Sequence, residues 1–245
     1  AGAPWWLLAA VAVLGSALVW WERRLNRASR PAVLPAALVR NTGFVMGATL
    51  AAAYFAGFTS IFVVMTMFYQ DGLGTSALIA GLAQMPFAIA SAVASRWSGR
   101  RVMRAGRGIV VQGLAIMLGS VVAIIAVAAL VPAYVAQWVI PVLFGVAGWG
   151  SGAVISPNQT LTLADVPTPL AGTAAGLLQT FQRLGGSVGL ALLTTVYFAR
   201  VGAGDGGVES YAHALTLSLA LNVAILGVAL GIAVADARRR GSSAR

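Results

Sequence analysis

The sequence contains no cysteine and no lysine, a single histidine and only six acidic residues. Without cysteine there are no disulfides, thiolate nucleophiles or cysteine metal ligands, while the redox compartment stays open. Without lysine there is no amine for a retinal or pyridoxal Schiff base or for a phosphate loop. One histidine builds no metal site alone. Charged residues make up 9% of the chain, too few for the solvated skin of a water-soluble fold.

What is present is apolar. Of 245 residues, 59% are hydrophobic, and the mean hydropathy is +0.87. Runs long enough to cross a hydrocarbon core, which takes about 20 residues, are expected at 4–21, 43–69, 77–95, 108–131, 134–156, 172–199 and 211–235. All seven should be helices, because backbone groups in lipid must be bonded within their own segment. The fold class expected is therefore an all-α integral membrane protein with seven transmembrane helices. The first run reads as a span rather than a signal peptide: it lacks a basic leader and carries Trp5-Trp6 and Trp20-Trp21 at its two ends.

All sixteen basic residues are arginine, and the net charge is +10. Arg23, Arg24, Arg27, Arg30 and Arg40 follow the first span; Arg96, Arg100, Arg101, Arg104 and Arg107 follow the third; Arg238, Arg239, Arg240 and Arg245 follow the seventh. By alternation these lie on one side of the membrane, Arg200 on the other and Arg183 within the sixth span. The positive-inside rule makes the arginine-rich side cytoplasmic, with the N-terminus of this chain outside and its C-terminus inside. Charges flanking spans account for the basic balance, so no nucleic-acid partner is expected.

Residues 22–42, with Pro31 and Pro35 among arginines, separate a leading helix and basic linker (1–40) from a block of six spans (41–245). That block divides into three plus three, an arrangement shared by the inverted repeats of secondary transporters, although no internal sequence repeat is visible. Small residues recur at helical spacing: Gly148 with Gly152, Gly172 with Gly176, Gly185 with Gly189, and Gly227 with Gly231. Such pairs let helix backbones approach closely, and packing is their first expected role.

Arg183 lies near mid-depth, about 16 Å along a straight helix from Gly172. A charge there costs roughly 2.5–3.5 kcal/mol, so it should face the bundle, a water-filled cavity or carbonyls. It is either an anionic-substrate contact or gating charge, or a snorkelling structural arginine. Gln84, Gln179 and Asn222 are further candidates to line a cavity, and Tyr54, Phe55, Phe58 and Phe62 to wall it; bonds and packing between helices are the plainer account of each. The acids all fall in loops or at span ends, leaving no buried carboxylate to carry a proton.

Three stretches in order resemble the C-terminal half of a major facilitator superfamily exporter, in its fourteen-helix drug:proton antiporter group. They are Gly72-Leu73-Gly74-Thr75-Ser76-Ala77-Leu78-Ile79-Ala80-Gly81-Leu82 with Pro86; the loop Gly99-Arg100-Arg101-Val102-Met103-Arg104-Ala105-Gly106-Arg107; and Gly148-Trp149-Gly150-Ser151-Gly152 through Ser156-Pro157-Asn158-Gln159 to Gln182-Arg183-Leu184-Gly185-Gly186. The resemblance implies that spans two to seven are the second six-helix bundle, and that span one is the second helix of a central hairpin. It also makes Gly99, Arg100, Arg104, Gly106 and Arg107 a gating loop. Met103 stands where that loop carries an acid, so a charge latch built on it is not expected, although Arg104 and Arg107 remain free to meet carbonyls or a helix C-terminus.

The function this implies is one half of a proton-coupled multidrug efflux antiporter, exporting amphipathic small molecules from a bacterial cell. Its localisation would be the cytoplasmic membrane. No cofactor is expected; the proton gradient would supply energy, and the partners would be the lipid bilayer, a lipophilic substrate and an N-terminal half absent from this sequence. Because no initiator methionine opens the chain, it reads as a fragment. Two competing classes are an intramembrane serine hydrolase using Ser151 and His213, and a non-transporting membrane module. The hydrolase needs its nucleophile and base within hydrogen-bond reach.

Overall fold

The computed structural model describes residues 5–27, 34–164, 166–204 and 207–243. Among these every regular element is helical: α1 (Trp5–Arg27), α2 (Ala36–Arg40), α3 (Thr42–Met67), α4 (Ala77–Gly99), α5 (Val102–Ala105), α6 (Gly108–Leu130), α7 (Ala133–Leu163), α8 (Ala171–Gly202) and α9 (Val208–Ser243). A π-turn over Phe68–Gly72 extends α3, and a 3₁₀ turn over Thr168–Leu170 leads into α8. Six helices are long and apolar enough to cross a membrane. They coincide with the second to seventh expected spans. The first is also a helix, α1, but it is not among the six, and arginines occupy its last turn.

Local chemistry sets several boundaries. The Asn41 side chain caps α3 by accepting from the Phe44 N–H at 3.0 Å. Gly74 and Gly106 have φ of +64° and +56°, a backbone region open mainly to glycine, and they turn the chain before α4 and α6. Pro157, expected in the segment that follows the fifth span, instead lies inside α7, which continues to Leu163. Packing of the last turns holds that helix together: Asn158, Leu161 and Thr162 beyond the proline are all buried.

The six long helices form two triplets, α3-α4-α6 and α7-α8-α9, and their most extensive contacts run between triplets. α3 packs along α8, and α7 along α4; α6 meets α7 and α9, and α9 meets α3. Exchanging the triplets maps the first pair onto the second, so the three-plus-three arrangement is present in the packing although no repeat is visible in the sequence.

Glycine makes these approaches possible. A Cβ at Gly185 or Gly189 of α8 would land on the carbonyls of Ala52 or Ala56 in α3, and one at Gly148 or Gly152 of α7 on those of Phe87 or Ser91 in α4. Gly172 and Gly176 depart from the packing role expected of them: nothing lies within 4 Å of a Cβ at either. The same holds for Gly227 and Gly231. Packing in lipid depends on close van der Waals contact and interhelical hydrogen bonds rather than on exclusion of water. The outward faces stay apolar, with Leu78, Leu82, Met85, Ile89 and Val93 of α4 all exposed.

Candidate functional site

A groove of about 480 Å³ opens between α3 and α8, lined by Phe55 and Thr59 from α3 and by Gln179, Gln182, Arg183, Gly186, Ser187 and Leu190 from α8. The α8 residues recur at steps of three and four, which places them on one helical face. Phe55 and Arg183 lie about 20 Å and about 18 Å from the helix ends nearest the arginine-rich loops, which puts the groove near mid-depth. Among the described residues Thr59, Gln179, Gln182, Arg183 and Ser187 make no hydrogen bond or ion pair with protein. Elsewhere in the helices hydroxyls and amides are commonly bonded, as when Ser60 donates to the Ala56 carbonyl at 2.6 Å. The groove therefore presents a cluster of unsatisfied donors beside one aromatic wall.

Of the residues expected to line a cavity, Gln179 and Arg183 do so together. Tyr54 does not reach the groove: it is 1% exposed, and its hydroxyl donates to Ser151 Oγ at 2.7 Å across to α7. Phe58 joins an aromatic cluster instead, stacked on Tyr54 at 5.5 Å and continuing through Phe62 to Phe87 and Phe144. Gln84 Nε2 donates to Thr66 Oγ1 at 2.9 Å and to the Ala80 carbonyl at 3.2 Å, tying α4 to α3. Asn222 is fully buried in α9, where its Nδ2 donates to the Gly57 carbonyl at 2.8 Å. Thr59, Ser187 and Leu190 were not singled out by the sequence, although i, i+4 spacing links Thr59 to Phe55 and Ser187 to Arg183.

A second constellation ties the arginine-rich ends of the helices together. Arg107, at the start of α6, is 3% exposed and pairs through Nε with Asp236 Oδ2 of α9 at 2.5 Å. Its Nη1 donates to Asn158 Oδ1 and its Nη2 to Thr162 Oγ1 at 3.5 Å, both on α7, while Asn158 Nδ2 donates to the Gly47 carbonyl of α3 at 3.1 Å. Arg240 approaches the other Asp236 oxygen at 3.5 Å. Three helices thus meet at one guanidinium, and Asn158 carries the network on to α3.

This arrangement corrects one expectation, that no carboxylate is buried, since Glu22 and Asp236 are 5% and 3% exposed. The charge pair that Arg107 makes draws its acid from α9 rather than from position 103 of the loop. Among the other residues expected in a gating loop, Gly99, Arg100 and Arg104 are exposed, and Gly106 provides the left-handed turn before Arg107.

Ser151 and His213 do not form a catalytic pair. Ser151 is buried about 27 Å along α7 from Ala133, whereas exposed His213 is only about 8 Å into α9 from Val208, at the same end of the bundle. The nucleophile's oxygen is already engaged by Tyr54.

Comparison with known proteins gives concordant matches. The sequence profile of the Major Facilitator Superfamily matches residues 2–190. A probable actinorhodin transporter of Streptomyces coelicolor is 29% identical over 213 residues, covering 82% of this chain and 36% of that protein. A multidrug resistance protein of Mycobacterium tuberculosis, Stp, is 30% identical over 192 residues, covering 77% of this chain and 34% of the relative. A tetracenomycin C resistance and export protein of Streptomyces glaucescens is 27% identical, with 79% and 35% covered. The chain thus spans about a third of the length of the relatives it matches.

Proposed function

The chain belongs to the Major Facilitator Superfamily, and from that premise we propose that it is the C-terminal half of a secondary active exporter of amphipathic small molecules. It is a multi-pass membrane protein. In this reading residues 41–245 form one of two six-helix bundles that rock about a shared mid-depth site, and residues 1–40 supply a leading helix and linker. The other bundle belongs to the same transporter. The arginine-rich ends face the cytoplasm of a bacterial cell, and the proton gradient supplies the energy.

The observation that carries the reading is the α3/α8 groove. It is open at mid-depth and sets five polar side chains in a largely apolar wall, and it lies where the two inverted triplets meet, the region where transporters of this construction hold substrate. A carboxylate for proton exchange is supplied by the other bundle, since none lines this groove among the described residues. Relatives named for transport, multidrug resistance and export support the assignment.

Everted membrane vesicles from cells producing the chain within its full-length gene product test it. Respiration acidifies the vesicle lumen, and an antiporter then accumulates a lipophilic probe inside as protons leave. Uptake that collapses with an uncoupler is the expected result, whereas uptake no higher than in empty vesicles across a panel of lipophilic probes would sink the proposal.

A further inference from the structure

The groove contains one charged residue, and it is cationic. Arg183 stands beside four neutral polar side chains, Thr59, Gln179, Gln182 and Ser187, and no carboxylate lines the groove among the described residues. None of these five groups is satisfied by protein in the described residues. Gln182 shows how deliberately they are placed: the residue is 6% exposed, yet its amide is spent on no helix and no backbone carbonyl. Phe55 supplies a flat apolar wall, backed edge-on by Tyr54 at 5.5 Å.

A cation entering such a groove meets a guanidinium with no carboxylate beside it among the described residues to offset the repulsion between like charges. An anion meets five fixed N–H donors in a planar fork, flanked by amides and hydroxyls, and its charge offsets that of the arginine. We propose that the groove selects planar aromatic compounds bearing a negative charge, such as aryl sulfonates, carboxylates or phenolates, over lipophilic cations, with Arg183 as the anion contact and Phe55 as the stacking wall. The volume of about 480 Å³ suits one drug-sized ligand. This inference rests on the transporter reading, and deepens it by naming the sign of the substrate's charge.

The test pairs two probes that share a ring system and carry permanent charges, so that neither responds to the pH gradient: 1-pyrenesulfonate and (1-pyrenylmethyl)trimethylammonium. Uptake into everted vesicles containing the full-length gene product is measured for both, normalised to the amount of monodisperse protein. The wild type is expected to favour the sulfonate. Arg183→Gln should lower sulfonate uptake by about tenfold or more, the loss of one charge-assisted contact. Arg183→Lys should keep much of the preference, and Arg183→Glu should reverse it.

Preference of the wild type for the ammonium probe, or a sulfonate-to-ammonium ratio unchanged in Arg183→Gln, overturns the charge assignment and leaves transport standing. If neither probe, nor any neutral one, moves under an energised membrane, the transporter reading itself falls, and this inference with it. Should Arg183→Gln fail to fold, the wild-type ratio and Arg183→Glu decide between the same outcomes.

Discussion

Arg107 and Arg183 are both arginines on the helices of this bundle, and their surroundings give them opposite roles. Arg107 is enclosed by Asp236, Asn158 and Thr162, so its charge is spent within the fold. Arg183 is exposed in the groove and has no such partner among the described residues. Removing one member of a buried pair strands the other, which typically costs about 3–5 kcal/mol. Both Arg107→Ala and Asp236→Ala should fall in this range of about 3–5 kcal/mol, Arg107→Ala towards its lower end because the Asp236 carboxylate keeps Arg240 at 3.5 Å. Thermal unfolding in detergent checks the order, and equal midpoints for wild type and both variants would show that the pair contributes nothing to stability. The sequence displayed Asp236 and Arg240 one helical turn apart but offered no sign that Arg107 was their partner, since that contact depends on how α6 and α9 are placed.

At the scale of the element, the glycines divide into those a neighbouring backbone presses against and those in open space. Gly189 of α8 belongs to the first group and Gly176 of the same helix to the second. Gly189→Ala forces α3 and α8 apart at the wall of the groove, so the yield of folded monomer and its thermal midpoint should both fall. Gly176→Ala meets nothing and gains helix propensity of up to about 1 kcal/mol, leaving the midpoint unchanged or raised. Equal losses in the two variants would refute the division. Spacing alone could not make it, because i, i+4 glycine pairs read alike on a face that packs and on one that does not. For the same reason six span positions were legible from apolar run length, while the passage of α7 through Pro157 was not: whether a proline ends a helix depends on what buries the turns beyond it.

At the scale of the whole molecule, the charge distribution requires the arginine-rich helix ends to share one side of the membrane. This chain has no cysteine of its own, so a thiol introduced into it is its one maleimide-reactive group. Met103→Cys lies in the arginine loop and Ala203→Cys just past α8 at the opposite end, both at exposed positions. A membrane-impermeant maleimide should label Ala203→Cys in intact cells, and Met103→Cys only after permeabilisation; the reverse pattern would invert the orientation. The sequence by itself determined the positions of the six long apolar helices, the concentration of arginine at one end, and the exclusion of thiol and lysine chemistry from this chain. Each of these is a property of residue type or of a local window. Tertiary structure alone decided which polar groups meet, as with Asn222 and Gly57, 165 positions apart, and which five remain unmet around the α3/α8 groove. The physical reason lies in the solvent. In a bilayer the outer face of a helix is as apolar as its packed face, so hydrophobic periodicity does not mark the inward side, and only the placement of neighbouring helices does.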